Sequence, residues 1–205
     1  MTLVKICGLT REQDVDAAVA AGADMVGFVL VPDTPRYVEL DRAQALAARV
    51  PAGVKTVAVV DAPVKGTVPL TGGDSPRPGA GFDLVQRYDD PGDFRHTIVA
   101  ARGEPPADVP GDVPVMLDLA YGSRPDAAAL HKHWERAARV SNPVMLGGSL
   151  DPDNVADAIA ATQPYAVDTA SGTEVRPGVK DPEKLRAFAA AVAGTVPAAV
   201  AEGGA

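Results

Sequence analysis

Two side chains at the ends of predicted strands could carry out acid–base chemistry. Cys7 ends the apolar run 4–7, and Asp118 directly follows the apolar run 115–117. Lys5 lies two residues before Cys7, on the same face of an extended strand, and a nearby ammonium favours the thiolate form of cysteine. A partly desolvated carboxyl group has a raised pKa and can act as a general acid. A thiolate base and a carboxylic acid that face one ligand predict an isomerase site that needs no cofactor.

Two loops of small residues predict a phosphate site. They follow the apolar runs 144–146 and 165–167, and each contains glycine, which lets backbone N–H groups come close to a ligand. In (β/α)₈ barrels the loops after strands 7 and 8 often bind a phosphate. The candidate residues are Gly147, Gly148 and Ser149 in the first loop, and Ala170, Ser171 and Gly172 in the second. Two ordinary turns are the simpler interpretation, but two such loops in tandem favour a phosphate site.

Two further residues belong to the candidate site because of their positions. Arg36 follows the second predicted strand, where a guanidinium would suit a substrate carboxylate, and Asp168 ends the eighth. Each candidate also has a purely structural interpretation. Cys7 could be a packing residue, Arg36 a surface arginine and Asp118 a helix cap or loop carboxylate.

The elements that must position these residues alternate along the chain. Apolar strands are predicted at 4–7, 23–30, 54–60, 82–86, 97–101, 115–117, 144–146 and 165–167. Helices are predicted at 14–21, 40–50, 125–140 and 181–193, and another is predicted to follow the start signal at 151–153. Nearly continuous apolar strands separated by helices indicate a parallel sheet covered by helices. Eight strands predict an α/β fold, a single small (β/α)₈ barrel over residues 1–194.

Two helices of this barrel are predicted to be degraded or missing. Residues 61–81 contain four prolines and five glycines, so an irregular excursion is expected instead of the third helix. Residues 103–114 are proline-rich and too short for a full fifth helix, and residues 91–95 could form only a short fourth one. The Ala/Gly-rich tail at 195–205 is expected to be frayed.

Sequence signals also predict where helices begin and end. Thr10 is a candidate N-cap with Gln13 completing a capping box, and Gly22 ends the first helix. Pro125 is placed in the first turn of its helix, and Asp181 opens the last one. The only histidine pair, His131 and His133, is predicted to lie on a solvated helix face and not in a metal site.

Composition narrows the classes of function. The chain has 205 residues, 46% of them hydrophobic, and a net charge of −8, which gives no general electrostatic case for nucleic-acid binding. Its single cysteine excludes an intramolecular disulfide framework. The amino terminus enters a strand pattern without a signal peptide, and no apolar run approaches membrane-spanning length. A cytoplasmic protein without metal, cofactor or membrane partner is therefore expected.

Several motifs together resemble the phosphoribosylanthranilate isomerase family of tryptophan biosynthesis, nearly end to end. The first and last blocks are the specific ones, and the middle of the chain matches weakly. The matching residues are Lys5 to Thr10, Gly22 to Asp24, Gly27 to Val29, Pro35 to Val38, Asp83 to Gln86, Asp118, Gly147 to Val155, Val167, Asp168, Ser171, Gly172, Glu174 and Pro177 to Asp181.

This resemblance implies a (β/α)₈ barrel that catalyses the Amadori rearrangement of N-(5-phosphoribosyl)anthranilate, with no cofactor. It implies that Cys7 is the general base at the sugar C2 and that Asp118 is the general acid at the ring oxygen. Arg36 would hold the anthranilate carboxylate. Gly148, Ser171 and Gly172 would bind the phosphate, and Asp168 would lie beside the sugar.

The chain departs from the family pattern around the anthranilate end. Tyr88 stands where the family commonly has the histidine of a Gln-Leu-His-Gly pattern, and residues 119–124 replace a longer glycine-rich loop. Two alternatives therefore stay open. One is a sister sugar-phosphate isomerase of the histidine pathway, or one acting on both substrates, although that family tends to use an aspartate where Cys7 stands. The other is a non-catalytic barrel that only binds a phosphorylated ligand.

Overall fold

The fold is a closed barrel of eight parallel strands. The computed structural model describes residues 1–61, 81–88, 94, 96–120 and 122–195. Each strand pairs with the next in sequence, and the eighth pairs with the first, which confirms the predicted fold class. The strands are β1 (Leu3–Ile6), β2 (Met25–Val29), β3 (Lys55–Val60), β4 (Leu84–Arg87), β5 (Thr97–Ala101), β6 (Val115–Leu117), β7 (Val144–Leu146) and β8 (Ala166–Thr169).

Helices cover the barrel where the chain is long and apolar enough to form them. They are α1 (Glu12–Ala20), α2 (Leu40–Ala47), α3 (Ala127–Ala137), α4 (Val155–Thr162) and α5 (Pro182–Ala193). Residues 102–114, all of them described, connect β5 to β6 through turns without a helix, which confirms the predicted loss of the fifth helix. The irregular excursion predicted at 61–81 in place of the third helix lies outside the described residues except for its two end positions. Most of the short helix that 91–95 could form and the tail from 196 onward also lie outside them.

Strand alternation builds two apolar layers. One set of side chains fills the barrel interior, and the other packs between the strands and the helices. The interior set includes Met25, Val57, Ile98, Met116 and Met145, each at most 3% exposed. Because alternate residues of each strand are buried on opposite faces, the strands are mostly apolar, as the sequence predicts. Exceptions include Lys5 in β1, Gln86 and Arg87 in β4 and Asp168 in β8.

A hairpin after β8 ties the last part of the chain to the first loops. A short 3₁₀ helix (Ser171–Thr173) leads into strands β9 (Glu174–Arg176) and β10 (Val179–Lys180). Thr10 donates its hydroxyl hydrogen to the Gly178 carbonyl at 2.6 Å. A Cβ atom at Gly178 would lie 2.7 Å from the Pro35 carbonyl oxygen, so only glycine fits this turn, where φ is +77°. The hairpin therefore packs on the loops that follow β1 and β2.

Some predicted helix ends are confirmed. Asp181 accepts hydrogen bonds from the N–H groups of Glu183 and Lys184 and so caps α5. Gly22, with φ at +93°, follows the end of α1. Both signals involve residues close in sequence, which is why the sequence alone could identify them.

Other predicted boundaries are wrong. Helix α1 begins at Glu12 after Arg11, without a side-chain cap, because the Thr10 hydroxyl bonds to the distant Gly178 instead of to the helix. Helix α3 begins at Ala127, with Asp126 accepting from the Ala129 N–H, so Pro125 precedes the helix. Tyr165 is 45% exposed and precedes β8, so it does not belong to the buried strand predicted at 165–167.

Candidate active site

Cys7 lies at the end of β1 beside a buried ion pair. Lys5 is fully buried, and its Nζ donates to Asp168 Oδ1 at 2.6 Å. The two residues are register partners across the seam between β1 and β8. Cys7 is 6% exposed, and its backbone N–H donates to the Thr169 carbonyl at 2.9 Å. The structure thus brings Lys5, Cys7 and Asp168 together, and Asp168 lies one residue before the end of β8.

Burial and the neighbouring charges shift the pKa values of Cys7 and Lys5 in opposite directions. Burial raises the pKa of the Cys7 thiol, whereas the adjacent Lys5 ammonium lowers it. The sequence predicts the effect of Lys5, but burial outweighs it. Burial lowers the pKa of Lys5, yet Asp168 and Cys7 raise it further, so the ammonium stays charged. The thiolate is therefore the minor form of Cys7, and it is a strong base when it forms.

Gly27 makes room for the thiol. A Cβ atom at this position of β2 would lie 2.8 Å from Cys7 Sγ, inside van der Waals contact. Any larger residue at this position would displace the sulfur. The glycine in β2 is thus a consequence of where Cys7 must sit.

Asp118 follows β6 and is held through both carboxylate oxygens. Its Oδ1 accepts from the Leu119 N–H at 2.8 Å, and its Oδ2 accepts from the Tyr88 hydroxyl at 2.6 Å. Burial raises the pKa of Asp118, while the Tyr88 hydrogen bond lowers it. The net direction is upward, as the sequence predicts for a partly desolvated carboxyl group. Such a group can hold a proton for donation.

The loop after β7 touches Asp118. A Cβ atom at Gly147 would lie 2.6 Å from Met116 Cε and 3.4 Å from Asp118 Oδ1, so a glycine lets the loop approach the acid. Gly148 has φ at +89° and Ser149 has φ at +58°, which turns the chain sharply after the strand. Asn154 donates to the Ser149 carbonyl at 2.9 Å and holds that turn.

The two predicted phosphate loops are in direct contact. The Thr169 hydroxyl donates to the Leu150 carbonyl at 2.7 Å. A Cβ atom at Gly172 would overlap that carbonyl oxygen and would lie 2.9 Å from Asp151 Cα. Within the described residues, no acceptor is found for the backbone N–H groups of Gly148, Ser149, Ser171 and Gly172. Adjacent unpaired N–H groups at strand ends are the kind of donor set that binds phosphate.

Arg36 lies in the loop after β2, and its guanidinium faces Glu174 of the hairpin. Its Nε and Nη2 donate to the two Glu174 oxygens at 2.8 and 2.7 Å. Its aliphatic stem crosses Gly8, where a Cβ atom would overlap it. Arg36 is thus placed at the same end of the barrel as Cys7, already engaged with a carboxylate of the protein itself.

Three polar side chains of this region are not among the residues predicted for the site: Lys180 and Glu174, which are buried, and Tyr88, which is partly buried. Lys180 is 2% exposed, and its Nζ donates to the Ala170 carbonyl at 2.7 Å and lies 3.5 Å from Glu174 Oε1. Burial lowers the pKa of Lys180, and Glu174 raises it. Tyr88 binds Asp118. A strand-end rule could have found Tyr88, but the hairpin that carries Glu174 and Lys180 lies outside that rule.

His133 corrects the interpretation of the histidine pair. His131 is exposed as expected, but His133 is 3% exposed, and its Nε2 lies 2.9 Å from the Gly147 carbonyl. Arg136 donates to its Nδ1 at 2.9 Å, so Nε2 carries the proton and donates to Gly147. Burial lowers the pKa of His133. A residue of α3 therefore supports the first phosphate loop from behind.

The structure also bears on three other kinds of site: a separate cavity, a metal site and a membrane-spanning helix. A cavity of about 740 Å³ opens at the opposite end of the barrel, near the start of β5, and none of the candidate residues lines it. Among the described residues, no group of three histidine, cysteine or carboxylate side chains could hold a metal ion. No helix in the described parts of the chain is long and apolar enough to cross a membrane.

Known proteins are similar to this chain in sequence. The family model for N-(5′-phosphoribosyl)anthranilate (PRA) isomerase matches residues 115–191. The N-(5′-phosphoribosyl)anthranilate isomerase of Chromohalobacter salexigens is 39% identical, over 95% of each chain. The chain belongs to the PRA isomerase family. The enzyme of Acinetobacter calcoaceticus, which bears the same name, is 32% identical, over 91% of this chain and 94% of its own.

Solved structures of the PRA isomerase family agree with the fold. The phosphoribosyl anthranilate isomerase of Thermus thermophilus is 31% identical, with a TM-score of 0.73 over 94% of this chain and 98% of its own. A second isomerase structure, in complex with reduced 1-(o-carboxyphenylamino)-1-deoxyribulose 5-phosphate, is 25% identical. Its TM-score is 0.70, over 95% of this chain and all of its own.

Proposed function

We propose that this protein isomerises N-(5′-phosphoribosyl)anthranilate to 1-(o-carboxyphenylamino)-1-deoxyribulose 5-phosphate, in tryptophan biosynthesis. One observation carries the proposal. A buried thiol and a partly buried carboxyl group, Cys7 and Asp118, lie with two glycine loops at the same end of one barrel. Family membership supports the same substrate, because the relatives that bear the isomerase name match this chain over 94–95% of their own length.

The substrate would bind across the barrel mouth. Its phosphate would bind between the two loops, which contain Gly147, Gly148, Ser149, Ala170, Ser171 and Gly172. The hydrogen bonds would come from the N–H groups of Gly148, Ser149, Ser171 and Gly172, because the Gly147 N–H already donates to the Leu117 carbonyl. The sugar would then lie between Cys7 and Asp118, with Asp168 beside it. Its anthranilate carboxylate would reach Arg36, which can bind it only by sharing its guanidinium with Glu174.

The reaction proceeds by proton transfers and needs no redox partner. Asp118 gives its proton to the ring oxygen as the bond from that oxygen to C1 breaks, and the anthranilate nitrogen lone pair forms the C1–N double bond. The Cys7 thiolate then takes the proton from C2, which gives an enolamine. The enolamine then tautomerises to the C2 ketone, as its C2 hydroxyl loses a proton and C1 gains one. The Cys7 thiol releases its proton to solvent and the Asp118 carboxylate takes one up, so both side chains regain their initial protonation states.

Burial suits both groups to these steps. The raised pKa of Asp118 keeps a fraction of it protonated at a pH where an exposed aspartate would be ionised. The raised pKa of Cys7 makes its thiolate a stronger base, and Lys5 stabilises that thiolate when it forms. A thiol base needs a reducing compartment, so we place the reaction in the cytoplasm.

Turnover of the purified protein tests the proposal. We expect activity with N-(5′-phosphoribosyl)anthranilate, and a fall of about 10²–10⁴-fold in kcat for Cys7→Ala and for Asp118→Asn. Asp112→Asn is a matched control, because Asp112 is exposed near the opposite end of β6. Full activity in both site variants would refute the mechanism. Binding of the substrate by the wild type without turnover would indicate a non-catalytic barrel.

A further inference from the structure

Tyr88 stands one residue beyond β4 and binds the acid across the barrel mouth. Its hydroxyl donates to Asp118 Oδ2 at 2.6 Å, a short distance for an O–H···O bond. The two residues are 30 positions apart and come from strands that are not neighbours. The Leu119 N–H holds the other carboxylate oxygen. Two donors therefore face the carboxyl group, and both hydrogen bonds favour its ionised form.

Tyr88 is itself held in place from two sides. Gln86, at 1% exposure, donates from Nε2 to the Tyr88 oxygen at 3.1 Å, which leaves the hydroxyl hydrogen to point at Asp118. The Arg102 guanidinium lies 4.0 Å from the centroid of the Tyr88 ring. Arg102 also donates to Asp61 at 3.2 Å. Gln86 near the end of β4 and Arg102 after β5 thus hold the Tyr88 ring and hydroxyl in place.

We propose that Tyr88 is a positioning residue for Asp118: its hydroxyl holds the carboxyl group at the barrel mouth and stabilises the ionised form. This inference rests on the proposed function only in taking Asp118 as the acid. Burial alone would drive Asp118 strongly toward its protonated form, and Tyr88 limits that effect. The acid can then give up its proton to the ring oxygen and keep a stabilised carboxylate afterwards.

The charges around Asp118 come from several elements. Asp168 on β8 repels its ionised form, and Lys5 on β1 attracts it. His133 on α3 also interacts with Asp118. Cys7 and Asp168 interact with Tyr88, whose pKa is raised by burial and by Asp118, so Tyr88 stays a neutral donor. Removing the hydroxyl leaves these charges in place.

Titration of the Asp118 carboxyl group tests the inference without turnover. In protein carrying ¹³C-labelled aspartate, the Asp118 resonance is the one absent from Asp118→Asn. We expect Tyr88→Phe to raise the pKa of Asp118 by about one unit, the equivalent of one hydrogen bond to a charged group. Tyr88→His keeps an N–H donor and should lie close to the wild type. Tyr165→Phe, at the other end of the barrel, should leave the titration unchanged.

The pH profile of turnover gives a second reading on the same samples. The limb whose midpoint matches the titration of Asp118 should move to higher pH in Tyr88→Phe, by the same amount as the titration. An unchanged or lower pKa of Asp118 in Tyr88→Phe would overturn the inference, whether or not the enzyme turns over. Absence of turnover in the wild type, with the titration shifted as expected, would overturn the proposed function alone.

Discussion

Gly172→Ala is the sharpest test of the phosphate loops. The added methyl group would overlap the Leu150 carbonyl oxygen and would lie 2.9 Å from Asp151 Cα. Carbon atoms pack best at about 3.5–4.0 Å, so the two loops would have to separate by roughly 1 Å. The obstacle is backbone on both sides, which cannot move aside as the end of a flexible side chain can.

The expected effect follows from what this separation breaks. Overpacking of this kind costs about 1–3 kcal/mol of stability. A backbone N–H bound to a phosphate oxygen contributes about 1.5–3 kcal/mol, so losing one such donor weakens binding about 10–100-fold. The Thr169 bond to the Leu150 carbonyl, at 2.7 Å, would be strained by the same movement.

Steady-state kinetics and competition by inorganic phosphate measure this effect directly. We expect KM for N-(5′-phosphoribosyl)anthranilate and the inhibition constant of phosphate to rise together in Gly172→Ala. Gly53→Ala is the matched control, because a Cβ atom at Gly53 has no atom within 4 Å. If Gly172→Ala bound phosphate as tightly as the wild type, the two loops would not be the phosphate site.

Three further variants test the buried charges. Lys5→Met leaves the Asp168 carboxylate buried without its ammonium, and urea unfolding should show a loss of about 3–5 kcal/mol in unfolding free energy. Because burial raises the pKa of Asp118, its charge destabilises the fold above the ordinary pKa of aspartate, so Asp118→Asn should raise Tm at pH 7 while turnover falls. A lower Tm would contradict that reasoning. Because burial lowers the pKa of His133, the unfolded chain binds that proton more tightly and stability falls as pH drops below about 6.5. His133→Gln, which keeps a donor for Gly147, should flatten the decrease in Tm between pH 7 and 5, and an unchanged slope would show that His133 does not cause it.

The fold was predictable because its signals are local and repeated. Most strands are nearly continuous apolar runs, and parallel strands that are buried on both faces require such runs. Helix ends were predictable where the capping side chain lies within three residues, as Asp181 does for α5. Thr10 failed as a cap because a partner 168 residues away takes its hydroxyl, and spacing along the chain carries no information about such a partner.

The candidate site was predictable only in part, for a related reason. Strand-end position placed Cys7 and Asp118 at one end of the barrel, and strand alternation placed Lys5 beside Cys7. The sequence could not reveal that Glu174 binds Arg36, because that contact depends on how the hairpin folds back over the loop after β2. Nor could it show that burial would outweigh Lys5 at the Cys7 thiol, because burial is a property of the closed barrel.

The ion pair between Lys5 and Asp168 joins a residue that is synthesised early to one that is synthesised late. The two residues are 163 positions apart, and a ribosome adds about 5–20 residues per second. Lys5 therefore waits about 8–30 s during synthesis before its counter-ion exists. Until Asp168 is made, burying the Lys5 ammonium would cost free energy that no counter-ion offsets, so β1 cannot take its buried position in the barrel. A product that ends before β8 would lack the second phosphate loop and Asp168, the counter-ion of Lys5, so it would be an inactive fragment.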